Sequence, residues 1–243
     1  MTAVDDVSAI AVIVPVHDEE ELLDACLVSI ERAARHARGL RIVVVVVLDA
    51  CTDGSPSIAA VRDVETVFIE ARSVGAARAA GVTAALALLS DVPPAAVWTA
   101  HTDADSVVPE NWLTQQRELA ARGTDVVIGT VHPDFRDLDE DRAQAWRATH
   151  VPGTANGHVH GANLGMRLST LLAAGGFEPI AEHEDVRLVE RATSHGARVA
   201  ASADASVRTS GRTQGRTPGG YARYLREDLV PLAAAGNPGT ADG

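Results

Sequence analysis

The chain has 243 residues, of which 46% are hydrophobic, and a formal net charge of −12. This length fits one large α/β domain, and the negative charge argues against a nucleic-acid partner. No apolar run is long enough for an integral membrane segment and no basic-then-apolar leader opens the chain, so we expect a soluble cytoplasmic protein. All 21 basic residues are arginine, which excludes a lysine Schiff base and a P-loop lysine.

The first half of the sequence alternates strands with helices. Apolar runs predict strands at 8–16, 41–48 and 64–69, and a fourth strand that ends at Asp103. Apolar residues at helical spacing follow the first strand, and an alanine-rich helix is predicted at 74–89. This order predicts right-handed crossovers and a doubly wound, mostly parallel sheet. Ligands of such sheets bind beyond the carboxyl ends of the strands.

Three acid-bearing loops follow the carboxyl ends of predicted strands, and they begin at His17, Asp49 and Asp103. In the third loop, Asp103 and Asp105 flank one small residue. Two carboxylates at a strand end suit a hard divalent cation, and a cation held in this way commonly bridges a diphosphate. The same residues are also favourable turn formers. Three acidic loops at one sheet edge favour the metal site.

The second half is less regular, and it is predicted to form a smaller acceptor-side region. Its pattern predicts a helix from 109, a strand at 125–131, a polar loop or helix start at 133–142, a flexible loop at 151–157, a short strand at 162–166, helices at 169–174 and 185–195, a strand at 198–201 and a closing helix at 220–235. We therefore divide the chain into a tail (1–8), a nucleotide-sugar-binding half (9–131), an acceptor half of the same domain (132–235) and a disordered tail (236–243).

In this order the motifs resemble the family 2 glycosyltransferases, which have the GT-A fold, over about residues 10–229. The segment at 12–20 is similar to the first strand and nucleotide-binding loop of that family. The resemblance implies that Pro15, Val16, His17 and Glu19 cradle the base and ribose. An acidic residue in the first turn of a helix is an alternative explanation for Glu19.

Further donor-side roles are implied by the same resemblance. Asp49 stands where the family contacts the nucleotide base, and Arg78 stands in a Gly-x-x-Arg-x-x-Gly segment, where it would neutralise the diphosphate or the acidic loops. An ion pair on a helix face explains Arg78 equally well. The Asp-x-Asp motif implies that Asp105 binds Mg²⁺ or Mn²⁺ directly, with Ala104 beside the donor. Asp103 would contact the ribose or metal-bound water.

Motifs of the second half imply the acceptor side. His160, Gly161 and Asn163 lie in a segment similar to the one that lines the family's sugar and acceptor pocket. A Gly-Gly-Phe sequence at 175–177 precedes Glu184 and Asp185, and the resemblance implies that Asp185 is the base while Glu184 orients nearby groups. The acidic start of a helix is an alternative explanation for both carboxylates.

The loop after residue 207 departs from the family pattern. Many relatives have a metal-binding histidine there, whereas this chain has Arg208, Arg212 and Arg216. Arg212 and Arg216 are candidates to close over the donor diphosphate or to bind an anionic acceptor. A solvated basic loop is the alternative.

Together these features predict an inverting, metal-dependent glycosyltransferase. Its donor would be a nucleotide-diphosphate sugar, with UDP favoured over GDP, and its acceptor is an unknown hydroxyl compound; the chain could act as a homodimer. Two alternatives stay open. A sugar-phosphate nucleotidyltransferase would normally have a Gly-rich basic loop after the first strand, which this chain lacks. A non-catalytic nucleotide-sugar-binding module would not need Asp185.

Overall fold

A computed structural model describes residues 6–215 and 219–235. Its strands are β1 (Ala9–Val16), β2 (Arg41–Asp49), β3 (Glu65–Ile69), β4 (Val97–His101), β5 (Ser106–Val107), β6 (Val126–Pro133), β7 (Leu164–Arg167) and β8 (Val199–Thr209). Its α-helices are α1 (Leu23–His36), α2 (Ser55–Ala60), α3 (Val74–Leu88), α4 (Trp112–Ala121), α5 (Glu140–Thr149), α6 (Leu168–Ala173), α7 (Glu184–Ser194), α8 (Tyr221–Arg223) and α9 (Leu229–Ala235). A π-helix, Tyr224–Asp228, joins the last two.

All eight strands belong to one sheet with the order β3-β2-β1-β4-β7-β6-β8-β5. Strand β1 pairs in parallel with β2 and β4, and β2 pairs in parallel with β3. Strand β7 runs antiparallel between β4 and β6, whereas β8 is parallel to β6. The predicted doubly wound, mostly parallel sheet is confirmed, and the carboxyl ends of β1, β2 and β4 meet at one edge.

Helices cover both faces of the parallel half of the sheet. Helix α1 buries Leu23, Leu27 and Ile30 against one face, and α3 packs on the other face. Helix α3 comes close to the sheet because residue 81 is glycine: a Cβ there would lie 2.6 Å from Cγ2 of Ile13. Burial on both faces explains why β1 and β2 are continuous apolar runs rather than alternating patterns.

Several elements differ from the sequence-based prediction. The fourth strand ends at His101, so Asp103 lies in the loop beyond it. Strand β8 extends to Thr209 rather than ending near 201, and its register against β6 shifts between Gly129 and Val131. Residues predicted as a loop or helix start form the last part of β6, a short 3-10 turn and helix α5. Helix α5 is stable because it packs on the closing segment, where Ala145 meets Leu225 and Leu229.

The domain boundaries also change in part. Residues 7 and 8 of the predicted N-terminal tail are part of the fold, since Val7 is buried and the backbone N–H of Ser8 donates to the carbonyl of Ala96. The predicted tail at 236–243 lies outside the described residues. Both predicted halves contribute strands to the same sheet. Within the described parts of the chain, no helix has the length and apolar character to cross a membrane.

Candidate active site

A cavity of about 520 Å³ opens beyond the carboxyl ends of β1, β2 and β4. Of the residues predicted for the site, the cavity is lined by Pro15, Val16, His17, Glu19, Asp49, Arg78, Asp103, Ala104, Asp105, His160, Gly161, Glu184, Asp185 and Arg212. Arg216, the other arginine predicted to reach the donor, lies outside the described residues. The crossover topology therefore brings together side chains that are almost 200 positions apart in sequence.

Asn163 is the predicted residue that does not line the cavity. It is buried, and its side-chain oxygen accepts a hydrogen bond from the indole of Trp112 at 2.9 Å. Its side-chain nitrogen donates to the carbonyls of Thr130 and Ala205 at 2.8 and 2.9 Å. All of these bonds tie β6, β8 and α4 together, so the side-chain contacts of Asn163 in the structure are with the scaffold.

Asp49 shapes the first part of the cavity through backbone contacts. One carboxylate oxygen accepts from the N–H groups of Ala71 and Arg72 at 2.7 and 2.8 Å, and the other accepts from that of Ser73 at 2.8 Å. The ring of His17 donates from Nδ1 to the carbonyl oxygen of Asp49 at 2.6 Å. Asp49 thus fixes the entry to α3, where Arg72 has a left-handed φ of 48°.

Arg78 connects the Asp-x-Asp loop to the start of α7. Its side chain is 2% exposed, and Nη2 donates to Oδ1 of Asp103 at 2.6 Å while Nε donates to Oε1 of Glu184 at 3.1 Å. Nη1 also donates to the carbonyl of Gly161 at 3.0 Å. Burial lowers the pKa of Arg78, but the two carboxylates outweigh burial and hold it above its ordinary value. Arg78 therefore forms an ion pair, and its partners in that pair are acids of the site.

Close approach to Arg78 is possible because residue 161 is glycine. A Cβ at that position would lie 2.3 Å from Nη2 of Arg78. On the other side, the guanidinium carbon lies 5.9 Å from the ring centroid of Phe177. The Gly-Gly-Phe segment therefore contributes an aromatic ring to the surroundings of this arginine.

Arg212 holds the second aspartate of the motif. Its Nη2 lies 2.9 Å from Oδ2 of Asp105, and its two terminal nitrogens pair with both oxygens of Glu19 at 3.0 and 2.6 Å. The other oxygen of Asp105 accepts from the hydroxyl of Thr209 at 3.2 Å. Burial, together with the charge of Asp103, raises the pKa of Asp105 to about 6, and Arg212 opposes this rise.

The chemistry of this donor set fits a hard divalent cation. Asp103 and Asp105 offer only carboxylate oxygens, the ligand type preferred by Mg²⁺ and Mn²⁺. A positive charge already lies next to Asp105, because Nη2 of Arg212 is 2.9 Å from its Oδ2. No histidine lies among residues 207–215 of this loop, and Arg212 is the residue there that contacts Asp105.

A second acidic group lies outside the predicted set. Ligand atoms of Asp18, Cys51 and Asp53 all lie within 4.8 Å of one another, a spacing that could hold a metal ion. However, Asp18 accepts from the backbone N–H of Thr52 at 2.6 Å, and Asp53 accepts from those of Ser55 and Glu20. These carboxylates thus cap the loops after β1 and β2.

The start of α7 presents the remaining acids. His183 precedes the helix with a left-handed φ of 61°, which turns the chain into the first helical residue, Glu184. Glu184 is buried on Arg78, whereas Asp185 is half-buried and lines the cavity. After burial and Arg78, the charge of Asp185 is the next influence on the pKa of Asp103, which it raises. Asp185 therefore lies in the same electrostatic environment as the Asp-x-Asp motif.

Aromatic and imidazole rings form one wall of the cavity, and sequence reasoning named only one of them. This ring wall consists of His150, His158, His160, Tyr221 and Tyr224. The two tyrosines lie within the predicted closing helix at 220–235. Burial lowers the pKa of His160 to about 4, so this imidazole is neutral at pH 7.

The family comparison agrees with the motif series. The model of glycosyl transferase family 2 matches residues 11–171, which is more than half of the chain. No curated protein gives a significant sequence match.

Solved structures share the fold at low sequence identity. The mannosyltransferase PcManGT from Pyrobaculum calidifontis, in complex with GDP-Man and Mn²⁺, is 22% identical with a TM-score of 0.59, and the match covers 96% of this chain and 76% of that chain. TarS 1-349 from S. aureus, in complex with UDP, is 14% identical with a TM-score of 0.59, covering 96% and 67%. A mycobacterial protein is 15% identical with a TM-score of 0.54, covering 96% and 76%. With its family motifs around one cavity, the chain belongs to glycosyl transferase family 2 and is a glycosyltransferase with the GT-A fold.

Proposed function

We propose that this glycosyltransferase moves a sugar from a nucleotide-diphosphate sugar to an acceptor hydroxyl, with inversion at the anomeric carbon and with help from Mg²⁺ or Mn²⁺. The observation that carries this proposal is that Asp103, Asp105, Arg212 and Asp185 all line one cavity of about 520 Å³. Structural neighbours bound to GDP-Man with Mn²⁺ and to UDP support the donor class. We expect UDP-sugars first, and GDP-sugars are the nearest alternative.

The nucleotide would bind where the loops after β1 and β2 meet. Pro15, Val16 and His17 line this part of the cavity, and the contacts of Asp49 hold the adjoining 71–73 segment. The backbone and ring atoms there are fixed before any ligand arrives, which lowers the entropic cost of binding. Asp49 therefore acts on the base chiefly by fixing the loop that borders it.

The diphosphate would lie between the Asp-x-Asp carboxylates and Arg212. A divalent ion bound by Asp105, with Asp103 nearby, would supply a Lewis acid that stabilises the leaving diphosphate. Arg212 carries a planar guanidinium whose N–H groups match phosphate oxygens. Because it now contacts Glu19 and Asp105, it can transfer one of its contacts to the diphosphate without leaving the cavity.

Asp185 is the residue that we assign as the base. An inverting displacement forms a bond from the acceptor oxygen to the anomeric carbon as the bond to the phosphate oxygen breaks. The proton of the acceptor hydroxyl passes to the Asp185 carboxylate, and the nucleoside diphosphate departs. Glu184 keeps its contact with Arg78 at 3.1 Å and so fixes the first turn of the helix that carries Asp185.

Two variants test these roles. Thermal-shift measurements with UDP, GDP and their sugars, with and without Mn²⁺, identify the donor. Asp105→Asn should remove the Mn²⁺-dependent part of the nucleotide shift. Asp185→Asn should keep that shift but lower transfer by about 10²–10⁴-fold. Glu190→Gln, an exposed acid on the same helix, is the matched control.

Inversion at the anomeric carbon is tested by a separate measurement. The anomeric configuration of the first-formed product, followed by NMR, should be opposite to that of the donor. Retained configuration would refute inversion, and full transfer by Asp185→Asn would refute the assignment of the base. Nucleotide binding without transfer or donor hydrolysis would instead favour a binding module.

A further inference from the structure

The ring wall lies on the Asp185 side of the cavity. Arg78 contacts both Gly161, which follows His160, and Glu184, which precedes Asp185, so His160 and Asp185 belong to the same part of the cavity. The rings continue from there: the centroids of His160 and Tyr221 are 6.0 Å apart, and those of Tyr221 and Tyr224 are 5.7 Å apart. The wall is thus a chain of neighbouring rings, and His160 is the member that shares its part of the cavity with the assigned base.

A second layer of contacts holds these rings in place. The indole of Trp146 stacks on His150 with centroids 4.1 Å apart and ring planes within 5° of each other. Its Nε1 donates to the hydroxyl of Tyr221 at 3.0 Å. Helix α5 therefore fixes the ring at its own C-cap and a ring of the closing segment, and the wall is a prepared surface rather than a set of independent side chains.

Burial disfavours a positive charge on two imidazoles of the wall. Burial lowers the pKa of both His150 and His160, and that of His160 is about 4. Of the described arginines that line the cavity, Arg78 and Arg212 are paired with carboxylates. The remaining one, Arg72, belongs to the segment fixed by Asp49, on the nucleotide side.

Acids complete the surroundings of the wall. Glu182 lines the cavity and accepts from the backbone N–H of Gly219 at 2.7 Å, and Asp185 lines the same cavity. Carboxylates accept hydrogen bonds from hydroxyl groups but repel phosphates and other carboxylates. Flat apolar ring faces with a few polar edges are typical of a site for an uncharged ring-shaped ligand.

We propose that the ring wall is the acceptor subsite and that its acceptor is an uncharged sugar ring. The C–H face of the sugar packs on Tyr221 and Tyr224, its hydroxyls meet the imidazole edges, and one hydroxyl reaches Asp185. This inference rests on the proposed function, because it assigns the acceptor of the same reaction. It predicts discrimination against phosphorylated sugars.

Saturation-transfer NMR tests this directly. The 243-residue chain, loaded with diamagnetic Mg²⁺ and the nucleoside diphosphate that stabilises it most, is mixed with methyl glycosides of glucose, mannose and galactose. Each neutral probe is paired with its own 6-phosphate. At least one methyl glycoside should give a signal that is fivefold or more above that of its 6-phosphate.

Variants locate the binding. His158→Ala removes an exposed ring of the wall and Tyr224→Ala removes a half-buried one; each should reduce the glycoside signal at least threefold. Phe68→Ala, an exposed ring on the edge strand β3, is the control and should leave it unchanged.

The outcomes separate this proposal from the donor proposal. Equal or stronger signals from the 6-phosphates, no glycoside signal, or unchanged signals in both wall variants would each overturn the neutral-sugar acceptor. Loss of the nucleotide and Mn²⁺ thermal shift would instead count against the donor proposal, and this shift is measured without any acceptor.

Discussion

Replacing Arg78 with methionine should destabilise the fold strongly. The side chain is 2% exposed and donates to Asp103, Glu184 and the carbonyl of Gly161. Methionine keeps much of its volume but leaves two carboxylates without their cation. Removing one partner of a buried ion pair costs about 3–5 kcal/mol. For a domain of this size, each kcal/mol lowers Tm by about 2–4 °C, so we expect a fall of about 6–20 °C.

The loss should depend on pH in a defined direction. In the wild type, burial already raises the pKa of both Asp103 and Glu184, against the effect of Arg78. Without the cation their folded-state pKa values rise further. A carboxyl whose pKa is raised on folding is stabilising below its unfolded pKa, and that contribution is lost as pH rises through its folded pKa. The stability gap between variant and wild type should therefore be larger at pH 8 than at pH 5.

Thermal unfolding of both proteins, followed by circular dichroism at pH 8 and pH 5, provides the measurement. Arg35→Met is the control, because Arg35 is 67% exposed and pairs only at 3.9 Å with Glu31. Its stability should change by no more than about 0.5 kcal/mol. If Arg78→Met behaves like this control, or if its loss is larger at pH 5, the argument that Arg78 neutralises Asp103 and Glu184 is wrong.

Three further outcomes are expected. Arg212→Ala removes the cation that competes for Asp105, so Mn²⁺ titrated by electron paramagnetic resonance without nucleotide should bind about fivefold tighter; unchanged or weaker binding would contradict this. Removing the metal with EDTA should lower transfer at least about 100-fold and restore it when Mn²⁺ is added back, whereas persistent activity would remove the metal from the mechanism. Gly75→Ala should lower the free energy of unfolding in urea by about 1–3 kcal/mol, because the new Cβ would lie 2.0 Å from the carbonyl oxygen of Glu178. A free energy of unfolding equal to that of the wild type would show that the loop carrying Glu178 moves aside without cost.

The sheet edge was predictable because its signals are local. Long apolar runs mark the strands, and the handedness of crossovers then places His17, Asp49 and Asp103 together. The partners of Arg78 were not predictable in the same way, because they lie 25, 83 and 106 residues away and only the folded chain selects them.

Other differences have similar physical origins. Asn163 lies in a motif-like segment, but its side-chain amide forms hydrogen bonds with Trp112 and with two backbone carbonyls of other elements. Much of β8 before Ala205 is exposed or half-buried, so its sequence lacks the apolar run that marks a strand. Helix α5 has few apolar residues of its own and is stabilised by Leu225 and Leu229, which are far away in sequence.

The position of Arg78 also constrains the order of events during turnover. One guanidinium contacts both Asp103, in the loop that would meet the donor, and Glu184, at the first turn of the helix that carries Asp185. Any shift of Asp103 on donor binding therefore changes the forces that act on Glu184. On the proposed function, donor loading and alignment of Asp185 are one coupled equilibrium, and we expect an ordered kinetic scheme with the donor bound before the acceptor.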